Sequence, residues 1–216
     1  PQAFSYRLSD RIDHLDTLIQ KLGLKQFHLV VHDWGGAIGT GAALRHLDKL
    51  GRIQIMNTAA FRSERMPWQI GLCRLPVLGE AYVRGLNGFA GPATFMAPAK
   101  KLSSAVKAGY LWPHGNWADR VAVARFVQDI PMNDCHPSYA TLVSIEEQLP
   151  KLADKPMQLI WGMKDFCFNE SFLREWQRRF PQAKTTELSG AGHYLLEDEP
   201  EVCLQLTRDF LEADAN

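Results

Sequence analysis

Three segments carry residue types that could do covalent chemistry. Val31-His32-Asp33-Trp34-Gly35-Gly36 ends an apolar run in a carboxylate followed by a Trp and two glycines. Leu159-Ile160-Trp161-Gly162-Met163-Lys164-Asp165 ends a second apolar run in a glycine turn and an acid. Ser189-Gly190-Ala191-Gly192-His193 brings a small-residue turn to a histidine. A carboxylate is charged at neutral pH, so it needs no base to displace a leaving group from saturated carbon. The product is an alkyl ester, and a base is required only afterwards, to activate the water that hydrolyses it. In this reading Asp33 is the nucleophile and His193 the base. Asp165 accepts the other ring N–H of His193, fixing its tautomer and stabilising the imidazolium.

Such chemistry needs a scaffold that brings distant segments together. Leu8, Ile12, Leu15, Ile19 and Leu22 recur at helical spacing, with Ser9 as an N-cap candidate and Gly23 as a stop. A helix is therefore predicted over 9–22. The run Phe27-His28-Leu29-Val30-Val31 suits a strand buried in a parallel sheet. Gly35-Gly36 opens a second helix reaching about Leu50, and Ile53-Gln54-Ile55-Met56 reads as the next strand. From 61 to 132, prolines 67, 76, 92, 98, 113 and 131 break the pattern among scattered aromatics. That stretch reads as a mostly helical insertion. Alternation then resumes, with helices predicted at 141–149, 171–180 and 200–211 and strands at 157–161 and 184–188. Pro200 stands early in the last helix.

Strands alternating with helices imply an α/β fold with a mostly parallel sheet and helices on both faces. The predicted organisation is a core over 1–60, a helical cap over 61–134 and the rest of the core over 135–216. Ligands bind beyond the carboxyl ends of such strands, which singles out Asp33, Asn57, Asp165 and His193.

Strand, Val-His-Asp-Trp-Gly-Gly and helix form the context of a nucleophile elbow, and the helix start behind Asp33 favours negative charge. The general elbow has Gly two places before the nucleophile; here that place is Val31. Alone, Asp33 would serve equally well as a turn or cap residue, and Asp165 would sooner be read as a turn acid. Together, the order nucleophile, acid, histidine at successive strand ends is that of the α/β-hydrolases.

Over its whole length the chain resembles the haloalkane dehalogenase family of the α/β-hydrolases. Val-Val-His-Asp-Trp-Gly-Gly is similar to that family's elbow, Val31 included, and Gly-Met-Lys-Asp and Ala-Gly-His-Tyr resemble its acid and base segments. In the family the acid follows one of two strands. Asn57 occupies the first place here, so the resemblance implies Asp165. It also implies that the Trp34 indole N–H holds the leaving halide and that its backbone N–H is one of two oxyanion donors. Phe126-Val127-Gln128-Asp129-Ile130-Pro131, Lys164-Asp165-Phe166-Cys167-Phe168 and Gly192-His193-Tyr194-Leu195-Leu196-Glu197-Asp198 resemble, more narrowly, the β-lactone decarboxylases of olefin biosynthesis. There an Asp of this kind would attack a long-chain β-lactone, yielding an alkene and carbon dioxide or bicarbonate. The local strings favour this second activity slightly.

The resemblance also implies strands before the elbow strand, where this chain shows one helix. A fragment is therefore expected, with N-terminal strands missing, the second oxyanion donor absent and the elbow strand at an open edge. Self-association through that edge, or weak activity, is the corresponding expectation. His114-Gly115-Asn116 looks like an oxyanion loop but follows the nucleophile, in the wrong order. Neither Trp68, Trp112 nor Trp117 matches a second halide-binding Trp.

The bulk composition is ordinary for a soluble globular protein. The chain has 216 residues, 24 Lys+Arg and 24 Asp+Glu. That balance argues against nucleic-acid binding. No apolar run is long enough to cross a membrane, and the polar N-terminus lacks a signal-peptide core. Cys73, Cys135, Cys167 and Cys203 fit no zinc pattern, and a reduced, cytoplasmic setting is the simplest reading. No metal or cofactor is expected; the partner is a small hydrophobic substrate. Two rivals share the residues. An epoxide hydrolase would need two cap tyrosines, for which Tyr82, Tyr110 and Tyr139 are candidates. A non-catalytic binding module, or an inactive fragment, is the other. A nucleotide site fails, since no G-x-G-x-x-G follows a strand.

Overall fold

The computed structural model describes residues 4–213, so residues 1–3 of the first predicted core segment and 214–216 of the second lie outside it. Strands β1 (Phe27–Asp33), β2 (Leu50–Thr58), β3 (Met157–Gly162) and β4 (Lys184–Leu188) form one parallel sheet in that order. β1 precedes α2 (Gly35–Ala43) and follows α1 (Leu8–Lys21). Between β2 and β3 come the inserted helices α3 (Trp68–Cys73), α4 (Leu78–Glu80), α5 (Ala90–Met96), α6 (Ser104–Leu111) and α7 (Val121–Gln128), then α8 (Tyr139–Gln148). α9 (Glu170–Arg179) joins β3 to β4, and α10 (Leu195–Asp198) and α11 (Pro200–Leu211) close the chain.

Period-two alternation divides the sheet. Ile53, Ile55, Leu159 and Trp161 face one side, packed with Leu8 and Ile12 of α1, the small residues of α2, Leu142 and Ile145 of α8 and Trp176 of α9. Met56 and Ile160 face the other, against Ala191, Leu195 and Cys203. Cys73, Val83, Ala124 and Val127 form a small core of their own inside the insertion.

Several boundaries differ from the sequence reading. α2 stops at Ala43 instead of running to about Leu50. Beyond it Arg45 and His46 turn the chain to meet Asp16 of α1, at 3.0 and 2.6 Å. Those are long-range contacts that no local pattern encodes. α1 starts at Leu8 rather than after Ser9, and no local side chain caps it. The Ser138 hydroxyl, from before α8, accepts the Leu8 N–H at 3.2 Å instead. Gly23 does end α1, at φ 60°. No helix among the described residues is long and apolar enough to cross a membrane.

Candidate active site

The turn from β1 into α2 is tight. Asp33 holds φ 50°, a left-handed conformation that costs a non-glycine residue energy and persists only where its surroundings enforce it. Two contacts do so. The Thr58 hydroxyl at the end of β2 donates to the Asp33 carbonyl oxygen. Gly36 presses on the same Thr58, where a methyl group would lie 2.8 Å from Cγ2 and 2.9 Å from the Ala59 carbonyl oxygen. Val31, which departs from the general elbow, packs over α2. A methyl on Gly39 would sit 2.6 Å from its Cγ1, so a glycine inside α2 makes the room that glycine at 31 would otherwise provide. The Asp33 carboxylate makes no hydrogen bond to any described residue. It does not cap α2; it lines the cavity described below.

Asp165 and His193 meet beyond the ends of β3 and β4. His193 Nδ1 lies 2.8 Å from Asp165 Oδ2, and both residues are buried. With the carboxylate as acceptor, Nδ1 carries the proton and Nε2 is left to act. Asp165 takes two further donors: Asn57 Nδ2 on Oδ2 at 3.0 Å and the Cys167 N–H on Oδ1 at 2.7 Å. Asn57 also receives the Gly162 N–H at 2.7 Å and donates to the Gly162 carbonyl at 3.0 Å. Asn57, a strand-end residue that cannot be the triad acid, thus fastens β2 to β3 directly beneath Asp165. Its amide could have been suspected from its strand-end place, but its target could not.

The His193 loop is held from two sides. His32 Nε2 donates to the His193 carbonyl at 2.9 Å. The buried Asp198 carboxylate accepts the N–H groups of Gly192, Ala99 and Lys100 at 2.8, 2.8 and 2.7 Å, tying the loop to the insertion. Burial disfavours charge on His193, but the Asp165 hydrogen bond and the charges of Asp165 and Asp33 outweigh it, and its pKa lies above the usual value. Burial, aided by the charge of His193, pulls His32 below the usual value despite Asp33. One histidine is thus poised to carry charge, and its neighbour to stay neutral.

Asp33, Trp34 and His193 line one cavity of about 520 Å³, and Cys167 beside Asp165 joins them. Ala37, Phe61, Ile70, Phe89, Met96, Phe126, Val127, Leu142, Phe168 and Phe172 make it strongly apolar, with walls from both the core and the insertion. Among the described residues Trp34 is the one tryptophan lining it. Trp161 and Trp176 donate their indole N–H groups to the Phe168 and Thr58 carbonyls at 2.8 Å each. The Trp34 indole N–H has no such partner among the described residues. Trp68 and Trp112 are exposed, and Trp117 packs against Arg84. His114 lines the cavity too, with its Nδ1 buried and unpartnered. Of the tyrosines considered for epoxide opening, Tyr110 lines the cavity and Tyr82 and Tyr139 do not; the Tyr110 hydroxyl donates to Glu197 at 2.9 Å. All four cysteines are free, and the described residues contain no cluster of three or more His, Cys, Asp or Glu suited to a metal ion.

A family model described as alpha/beta hydrolase fold matches residues 1–200. The chain is 40% identical, over 97% of its length and 71% of the relative's, to a cis-3-alkyl-4-alkyloxetan-2-one decarboxylase of Xanthomonas campestris pv. campestris. It is 28% identical, over 93% of its length and 70% of the relative's, to haloalkane dehalogenase 2 of Mycobacterium tuberculosis. The crystal structure of haloalkane dehalogenase DbeA from Bradyrhizobium elkani superposes with a TM-score of 0.87 over 97% of this chain and 75% of that one, at 24% identity. The chain therefore belongs to the alpha/beta hydrolase fold family, in the group that holds the haloalkane dehalogenases and the oxetanone (β-lactone) decarboxylases.

Proposed function

We propose that this protein forms a covalent ester on Asp33 with an apolar substrate, and that the substrate is a long-chain β-lactone. The observation that carries the reading is an unbonded carboxylate on a strained elbow, sharing an apolar cavity with a histidine held by a buried acid. Asp33 attacks the saturated ring carbon bonded to the ring oxygen, and that C–O bond breaks. The ring oxygen leaves as part of a new carboxylate. Loss of carbon dioxide from that carboxylate sends the C–C bonding pair into a carbon–carbon double bond and expels Asp33. The sum is one lactone to one alkene and one carbon dioxide, with no cofactor. His193, whose raised pKa favours its cation, and the free indole N–H of Trp34 stabilise the freed carboxylate. Residues 61–134 act as the cap over the core segments 1–60 and 135–216, and the cavity walls accommodate the alkyl chains.

The free Trp34 N–H also favours a second reading, haloalkane hydrolysis. There the indole holds the departing halide, and neutral His193 takes a proton from the water that cleaves the ester to release an alcohol. Replacement of His193 by Phe separates the two. Given a 1-bromoalkane, H193F should accumulate an alkyl adduct on Asp33, read by intact mass. Given a long-chain β-lactone, wild type should release alkene, and Asp33→Asn should not. Wild-type turnover of either substrate that survives Asp33→Asn would sink the nucleophile assignment.

A further inference from the structure

Arg11 occupies an unusual position for a charge. It lies in α1 and is 6% exposed. Its guanidinium carbon is 4.1 Å from the centre of the Trp34 ring and 4.2 Å from that of Phe126. The two rings meet edge to face at 82°, with centroids 5.8 Å apart, so they form a corner that Arg11 fills. Its Nη2 is ion-paired with Asp129, just beyond the end of α7. Asp129 is itself buried and also accepts Arg7 Nη1 at 3.1 Å and the Ser138 hydroxyl at 2.7 Å. Arg11 Nη1 is buried with no hydrogen-bond acceptor. That orphan is tolerable in a corner of two π faces, where the cation is attracted by both rings.

Stability is a weak reason to keep a charge in such a place. A buried ion pair is often matched or bettered by apolar residues of the same volume. What an apolar side chain would lack is a planar cation that fits two ring faces and a fork that reaches Asp129. Trp34, the residue clamped, follows Asp33 directly and carries the indole N–H that no described residue accepts. The other two clamp members, Phe126 and Asp129, belong to the insertion.

We propose that Arg11 is a positioning residue for Trp34, holding the indole plane so that its N–H stays presented beside Asp33, and linking that geometry through Phe126 and Asp129 to the seating of the insertion. This rests on the reading of Asp33 and Trp34 given above. A tilt of the indole displaces the N–H from the developing anion, and small misplacements of such donors are costly in rate. The effect should fall on kcat, because the contact strengthens as the leaving group departs.

The test uses Arg11→Lys, which keeps the charge but not the plane, Arg11→Met, which keeps neither, and Phe126→Leu, which removes one ring and leaves the ion pair intact. R11K and R11M should lower kcat with a long-chain β-lactone about tenfold while KM stays within about twofold, and F126L about threefold. The indole ¹⁵N–¹H resonance of Trp34, assigned with Trp34→Phe, should shift or broaden in R11M. Folding is followed by near-UV circular dichroism; if the Arg11 variants fail to fold, the Trp34 resonance of F126L decides, because Phe126 also lines the cavity and its kcat alone would not. Folded variants with kcat within twofold of wild type and an unmoved Trp34 resonance would overturn the proposal. So would a loss that only tracks the unfolded fraction. Asp33→Asn in the same assay keeps the two readings apart. Turnover by D33N defeats the site itself, whereas a dead D33N beside a fully active R11K and F126L defeats only the role of Arg11.

Discussion

Replacing Asp165 by Asn tests the core of the site with almost no change in shape. Both oxygens of Asp165 are acceptors: Oδ2 for His193 Nδ1 at 2.8 Å and Asn57 Nδ2 at 3.0 Å, Oδ1 for the Cys167 N–H at 2.7 Å. An amide has one oxygen, so one side must turn an NH₂ group toward existing donors. Facing Cys167 it meets one donor; facing Asn57 and His193 it meets two. The first arrangement costs less, about 1–3 kcal/mol for a buried donor left unmatched. His193 then loses the anion that, with Asp33, raises its pKa against burial. Its pKa should fall, which ¹H NMR titration of the ring would read directly. The sign for stability follows from linkage. A group whose folded pKa is raised adds stability below its unfolded value, and that contribution fades as pH rises through the folded value. Urea unfolding should therefore show a larger deficit for D165N at pH 5.5 than at pH 9. Turnover should drop by up to about ten-thousand-fold, the scale set by neutralising the orienting acid in serine proteases. A His193 titration unmoved by the substitution, or a deficit independent of pH, would refute the electrostatic argument.

Three other outcomes are expected. Asn57→Ala strands the Gly162 N–H and removes a donor from Asp165, so urea unfolding should show a loss of about 2–4 kcal/mol; Asn57→Gly, which suits φ 29°, isolates the hydrogen-bond share from the backbone strain. Gly36→Ala drives a methyl into Thr58 and the Ala59 carbonyl, and should cost about 1–3 kcal/mol in the same measurement and distort the elbow enough to slow ester formation. Trp34→Phe keeps the ring in its corner but deletes the unpaired N–H; kcat should fall roughly hundredfold with a smaller change in KM, as for loss of an oxyanion donor.

The elements whose signals are local were legible in the sequence. β4 and α11 begin and end where the alternation and Pro200 place them, and Gly23 stops α1. Where the observed boundaries depart from the sequence pattern, a distant partner sets them. Ser138 caps α1 across the chain, and Asp16 takes up the Arg45 and His46 side chains that follow α2. The departure at Val31 is accommodated by Gly39, which faces it across a strand–helix packing that sequence spacing does not reveal.

For Asp33, Asp165 and His193 the sequence by itself determined residue type, order and strand-end placement, because the nucleophile-elbow and strand-turn patterns are local and chemically restrictive. Only the tertiary structure decided what surrounds them. The Thr58 bond to the Asp33 carbonyl, the amide of Asn57 under Asp165, the Asp198 bonds to Ala99 and Lys100 of the insertion and Arg11 in the corner of Trp34 and Phe126 all join segments tens of residues apart. Hydrogen bonds and ring contacts act over a few ångströms in space and carry no fixed interval along the chain, so these partners become visible only when the sheet and the insertion are folded together.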